Sequence, residues 1–121
     1  MLGIVMIFCN NIFAQKAPWW WTYPSKLPIG SNFDYVPCMG EGTTETEARR
    51  KAEAESYRMF TAKNKYVEFS ETTYKEMEEK GLKATLPEYA TNYTFVCNPK
   101  PEKISDNHYK VYILVKTFLA L

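Results

Sequence analysis

The chain carries one histidine, His108, in 121 residues, and that scarcity limits the chemistry open to it. Nucleophilic catalysis usually needs a base beside the nucleophile, and a single His that precedes a strand next to a turn reads as a strand-end residue. Metal chemistry meets the same obstacle, because Cys38, Cys97 and His108 are scattered and form none of the close pairs that zinc sites use. No sign of charge dominates: 15 Lys and Arg stand against 14 Asp and Glu, for a formal charge of +1. No basic stripe is interleaved with aromatics, so nucleic acid is not an expected partner. The turn GEGTTE at 40–45 lacks the Gly-Lys-Ser/Thr of a P-loop. It also lacks the third glycine of a dinucleotide loop, with Glu45 at that place, where its charge would repel phosphate. No catalytic residue, metal ligand or cofactor is expected, and no internal repeat is present.

Long apolar runs are missing too. The longest, Leu2 to Cys9, has the length of a signal-peptide core and not of a membrane span. Residues 1–14, MLGIVMIFCNNIFA, hold no charged side chain and read as an export signal, although no basic residue precedes the apolar run. Ile12 and Ala14 fit the small-residue cleavage pattern imperfectly, and cleavage would leave Gln15 or Lys16 first. A buried N-terminal strand is the alternative. Lipidation of Cys9 is disfavoured by the large Phe8. Export would place the protein in the periplasm, at the outer membrane or outside the cell, with peripheral membrane association open to it. Cleavage leaves Cys38 and Cys97, which in an oxidising compartment read equally as a disulfide or as two buried thiols. They lie 59 positions apart (97 minus 38), a loop whose closure is worth about 4 kcal/mol if the geometry allows it.

What is abundant is aromatic: nine Tyr, seven Phe and three Trp, which suits half-buried sheet surfaces. Residues 15–30 form a Pro/Trp-rich arm holding Trp19, Trp20 and Trp21. Its prolines predict an extended, irregular course in which alternate rings anchor on the core and the middle one faces elsewhere. Residues 31–121 read as a single α+β domain. FDYVPCM at 33–39 is a strand, with Pro37 marking an edge or a bulge. Gly40 and Gly42 then supply a sharp turn, and Thr44 with Glu47 makes a capping box. A helix follows from about Glu45 to Asn64, with Ala48, Ala52, Ser56, Met59 and Phe60 along its inner side. Tyr66 to Phe69 alternate as a strand would, and Thr72 to Lys80 could form a charged helix ending at Gly81. NYTFVC and HYKVYILVKTF are strand runs expected to pair as a long-looped antiparallel hairpin, with an Asp-Asn turn candidate in the connection. In the last run Val111, Ile113 and Val115 share the core face, with Tyr112 and Leu114 on the other.

The order of Pro18-Trp-Trp, a strand ending in Gly40-x-Gly42, Thr44-x-x-Glu-Ala-Arg with Ala52, and Tyr109-x-Val-Tyr-Ile-Leu-Val resembles the LPP-twenty-type lipoprotein family of bacterial envelopes. Related small exported proteins of the Bacteroidetes share it. The resemblance covers about Pro18 to Lys116. It implies one long helix packed across a small antiparallel sheet of about three to four strands, dodecin-like, in an envelope or surface protein without catalytic residues. The chain departs from that family in lacking a good lipobox at Cys9. The reading is a non-enzymatic exported protein that acts through contacts with an envelope protein, with Trp19, Trp20, Trp21 and the sheet edge near Pro37 as contact candidates. The alternative is a small-ligand or glycan-binding module that uses the aromatic arm as a stacking platform.

Overall fold

Alternation of side chains along residues 33–42 places Val36, Cys38 and Gly40 on a buried face, and the same period-2 pattern runs through the last strand. A computed structural model of the chain describes residues 17–30, 33–63, 68–85 and 93–118. The export signal expected over 1–14, and all but the end of the strand expected over 66–69, lie outside these; Phe69 precedes a helix and is not in a strand. Strand β1 (Phe33–Gly42) pairs antiparallel with β4 (His108–Phe118), from Phe33 opposite Phe118 to Gly42 opposite Tyr109. On the other side of β4 lie β2 (Tyr93–Cys97), against its C-terminal half, and β3 (Glu102–Ser105), against its start. β4 is thus central and β1 forms an edge.

The expected hairpin of NYTFVC with HYKVYILVKTF forms, and its connection contains a further strand, β3, that the flanking prolines concealed. Asp106 and Asn107 make the two-residue turn into β4, with Asn107 at φ 69°, a left-handed conformation that asparagine tolerates well.

Helix α2 (Glu45–Lys63) begins where the sequence predicts. The Glu47 N–H donates to Thr44 Oγ1 at 3.1 Å, and the Glu47 carboxylate accepts from the Thr43 N–H at 3.4 Å and hydroxyl at 3.2 Å. These bonds satisfy donors that a helix start leaves open. Ala48, Ala52, Ser56 and Phe60 are buried along one side, and the apolar members of that row form one core with Val36, Cys38, Val111, Ile113 and Val115. Gly40 and Gly42 do not turn the chain, contrary to the expectation. Both lie inside β1, and neither has positive φ. A Cβ on Gly40 would stand 2.1 Å from the Ala48 carbonyl oxygen and 2.5 Å from Ala52 N. Here the strand needs glycine because the helix backbone rests on it.

Helix α3 (Glu71–Lys80) is capped by Ser70, whose Oγ accepts from Thr73 N at 3.2 Å, and it stops at Gly81 with φ 88°. A short turn, α4 (Leu82–Thr85), follows. Met77 of α3 and Leu82 close the core beside α2.

The second face of the sheet is covered by the arm. Trp19–Thr22 form a short helix, α1, and Pro24–Lys26 a 3₁₀ turn, where an extended course was expected. Pro18 stands just before the first turn, where a missing N–H costs nothing. Helical rotation fans the three rings apart, so the middle one, Trp20, is the anchor: it is 2% exposed and packs with Leu27, Cys97 and Leu114. The expected alternation of anchors is therefore reversed. Described residues thus give an α+β fold: four helices and a four-stranded antiparallel sheet, with the long α2 across one face and the arm on the other.

The bridge considered between Cys38 and Cys97 is not formed. Cys38 faces α2 as a buried thiol, 3.7 Å from the Val36 carbonyl oxygen and 3.9 Å from Met59 Sδ. Cys97 is buried on the opposite face against Trp20 and Leu114. β4 also runs between their strands, which holds them about 9–10 Å apart, beyond bridging reach. Cys97 is disulfide-bonded, and Cys38 is not its partner.

Candidate functional site

The open edge of β1 is the place where two of the sequence-derived contact candidates, Trp21 and Pro37, meet. Among the described residues β1 pairs only with β4. It passes Pro37 without a register shift, as an edge strand allows when the proline nitrogen faces away from its neighbour. Two adjoining hollows flank this edge and share Trp21, Pro37 and Met59. One, of about 440 Å³, opens between β1, α2 and α3; the other, of about 390 Å³, opens between β1 and the arm. Together they make a groove with Met59 as its floor and Trp21 at its waist.

Each side chain arrives there for a local reason. Met59 stands on α2 between the buried Ser56 and Phe60 rows and the solvent, so it is half-buried and turns toward β1. Trp21 follows the anchoring Trp20 by one helical step, which swings it out over β4. Its ring lies 5.3 Å from that of Tyr112, tilted by 56°, a favourable aromatic geometry. The ammonium of Lys110 sits 5.1 Å from the centre of the Tyr112 ring. Hydrogen bonding to Tyr112 is the leading cause that raises the Lys110 pKa, so that ammonium stays charged. Ile29, 95% exposed, extends the apolar rim. At the other end of the groove the lining turns acidic, with Glu41, Glu55 and Glu78 against Lys51. Tyr74 donates a hydrogen bond to Glu55 there. Burial, and then that bond, push its phenol from 10.0 up to about 12, so it remains a neutral donor at physiological pH.

Of the sequence candidates, then, Trp21 and Pro37 line the groove, Trp19 packs partly buried beside the second core, and Trp20 is inside it. Cys38 borders the groove from its buried side. Cys97 lies on the other face, apart from it. His108 Nε2 is 2.6 Å from Glu41 Oε2, across the end of β1 and β4. That contact ties the β3–β4 turn to the edge strand. Among the described residues no three His, Cys, Asp or Glu converge as metal ligands, and no helix is long and apolar enough to cross a membrane.

Sequence reasoning missed Met59 and Tyr74 as groove residues, and Tyr112 as the ring that meets Trp21. The parity of β4 does place Tyr112 on the face away from Val111 and Ile113, which was the available signal. Nothing local could bring Tyr74 to Glu55. No family model, curated protein or solved structure matches the chain.

Proposed function

We propose that this is a non-enzymatic protein of the bacterial envelope, exported and related to the LPP-twenty-type family, which acts by docking a partner protein in the groove beside β1. The observation that supports this reading most is the meeting of Trp21 and Pro37 on one open sheet edge, over a Met59 floor. An exposed ring at the centre of a groove, with apolar surroundings and a charged end, is the composition of an interaction hot spot. The acidic end selects a partner that brings a basic group alongside its apolar anchor.

Separating packing from contact requires two variants. Trp20→Ala removes a core ring and costs about 4 kcal/mol of stability. Trp21→Ala, at a ring 36% exposed, costs about 1 kcal/mol or less, yet lowers association with the envelope fraction in cells. Unchanged association of a folded Trp21→Ala protein would sink the proposal.

A second reading is favoured by the Trp21–Tyr112 pair with the exposed Tyr23: a glycan-binding module in which sugar rings stack on the arm. Calorimetric titration with peptidoglycan fragments and other glycans distinguishes the two. Heat that disappears in Trp21→Ala favours the glycan, and a flat panel removes it.

A further inference from the structure

We infer that the chain has a second site, a cationic cleft on the other flank of α2 that binds a small multivalent anion bearing phosphate or carboxylate groups. The cleft has a volume of about 650 Å³ and lies between α2, the α3–α4 turn and the segment after β2. That volume is within the range of small-molecule sites. Five cations line it, Arg49, Arg50, Lys80, Lys83 and Lys100, against two carboxylates, Glu45 and Glu53. Five less two gives +3 in one hollow, while the whole chain has a formal charge of +1. Positive charge is therefore gathered here at the expense of the remaining surface, and a concave wall of net positive charge focuses its field on the opening.

Bonds to neutral carbonyls position both arginines of the cleft. Arg49 Nη2 donates to the Pro99 carbonyl at 3.0 Å, and Arg50 Nη1 donates to the Glu79 carbonyl. Each guanidinium has five N–H donors, so one bond to a neutral carbonyl fixes its position and leaves its charge and most of its donors for a ligand. Glu53 Oε1 accepts from Leu82 N at 2.9 Å, and Glu45 pairs with Lys100 at 3.7 Å. Both carboxylates thus have defined work in the walls. Lys80 and Lys83 are exposed and line the same hollow as the two arginines. Phe95 and Pro101 line the same hollow, so a ligand can rest carbon skeleton on them while its charges meet the cations. Two fixed guanidinium forks suit oxyanions with several oxygens. This site shares no lining residue with the β1 groove, and its fate is independent of the proposal made for that groove.

The test uses the full chain at low ionic strength, with tripolyphosphate, pyrophosphate and citrate as probes and acetate as the single-charge control. Binding of any one of the three is expected to raise the melting temperature and to give saturable heat in calorimetry, and both signals should fade with added salt. Lys80→Glu/Lys83→Glu should keep the melting temperature without probe and weaken binding about tenfold. Lys26→Glu/Lys116→Glu removes the same charge from the arm and from the β4 position over Phe33, neither of which lines the cleft, and should bind as the unaltered chain does. Lys80→Gln/Lys83→Gln serves if charge reversal impairs folding. Absence of saturable binding by all three multivalent probes, or equal weakening by the rim and distant pairs, overturns the site.

Discussion

Gly40 marks the closest approach of strand and helix, and what matters at this position is a hydrogen atom in place of a methyl group. The atoms that a Cβ would strike, the Ala48 carbonyl oxygen and the Ala52 nitrogen, belong to the α2 backbone and cannot swing aside as a side chain would. Gly40→Ala must therefore lift the first turns of α2 off β1, and its expected cost is about 2–3 kcal/mol, read as a lower urea midpoint with an unchanged slope. A loss below about 1 kcal/mol would mean that the helix does not rest on Gly40. Two glycines near a helix start were legible from the sequence, but their purpose was not. Gly-x-Gly before a capping box looks the same whether it bends the chain or admits a neighbour.

Between elements, the contact of α2 with α3 contains the one strongly shifted group among the described residues. Tyr74 of α3 donates to Glu55 of α2, and burial and this bond raise its pKa to about 12. The fold therefore favours the neutral phenol. Its contribution to stability is complete below pH about 10, the unfolded value, and is lost as pH climbs toward about 12. In an absorbance titration of the nine tyrosines, one should ionise later than an ordinary phenol, and Tyr74→Phe should abolish that late step. A late step that survives the substitution would assign the shift elsewhere. The same comparison shows why some elements were easy to read and others were not. The start of α2 and the row Ala48, Ala52, Ser56 are local signals, and α3 likewise stops at Gly81 as its sequence indicates. The arm misled because Pro and Trp weigh against helix in isolation, whereas burial of one ring against Leu114 and Cys97 decides its course. The cationic cleft was hidden for a simpler reason: Arg49, Lys80 and Lys100 are 20 or more positions apart, and only the fold assembles them.

For the molecule as a whole, the arrangement of strands decides what its cysteines can do. Cys38 and Cys97 lie on opposite faces with β4 between their strands. Cleavage after Ala14 would leave only these two, so cleavage and a disulfide at Cys97 within one chain exclude each other. Intact mass and thiol counting, on protein denatured without reductant, should vary together. A monomer starting at Gln15 should show two reactive thiols. A cleaved monomer with no reactive thiol would contradict the fold, because it would need the bridge that the sheet forbids.

Pro37 has a further consequence for how this molecule meets its surroundings. An open strand edge is a template on which another strand can grow, in a neighbouring copy or an unfolded chain. The ring nitrogen at the middle of the ten-residue β1 deletes one donor from that template and leaves only short stretches on either side. Sheet growth at β1 is therefore disfavoured. A guest in the groove must be recognised by its side chains, in pockets under Trp21 and over Met59, and not by backbone pairing alone. The same proline that disfavours polymerisation at the edge thus makes recognition there selective.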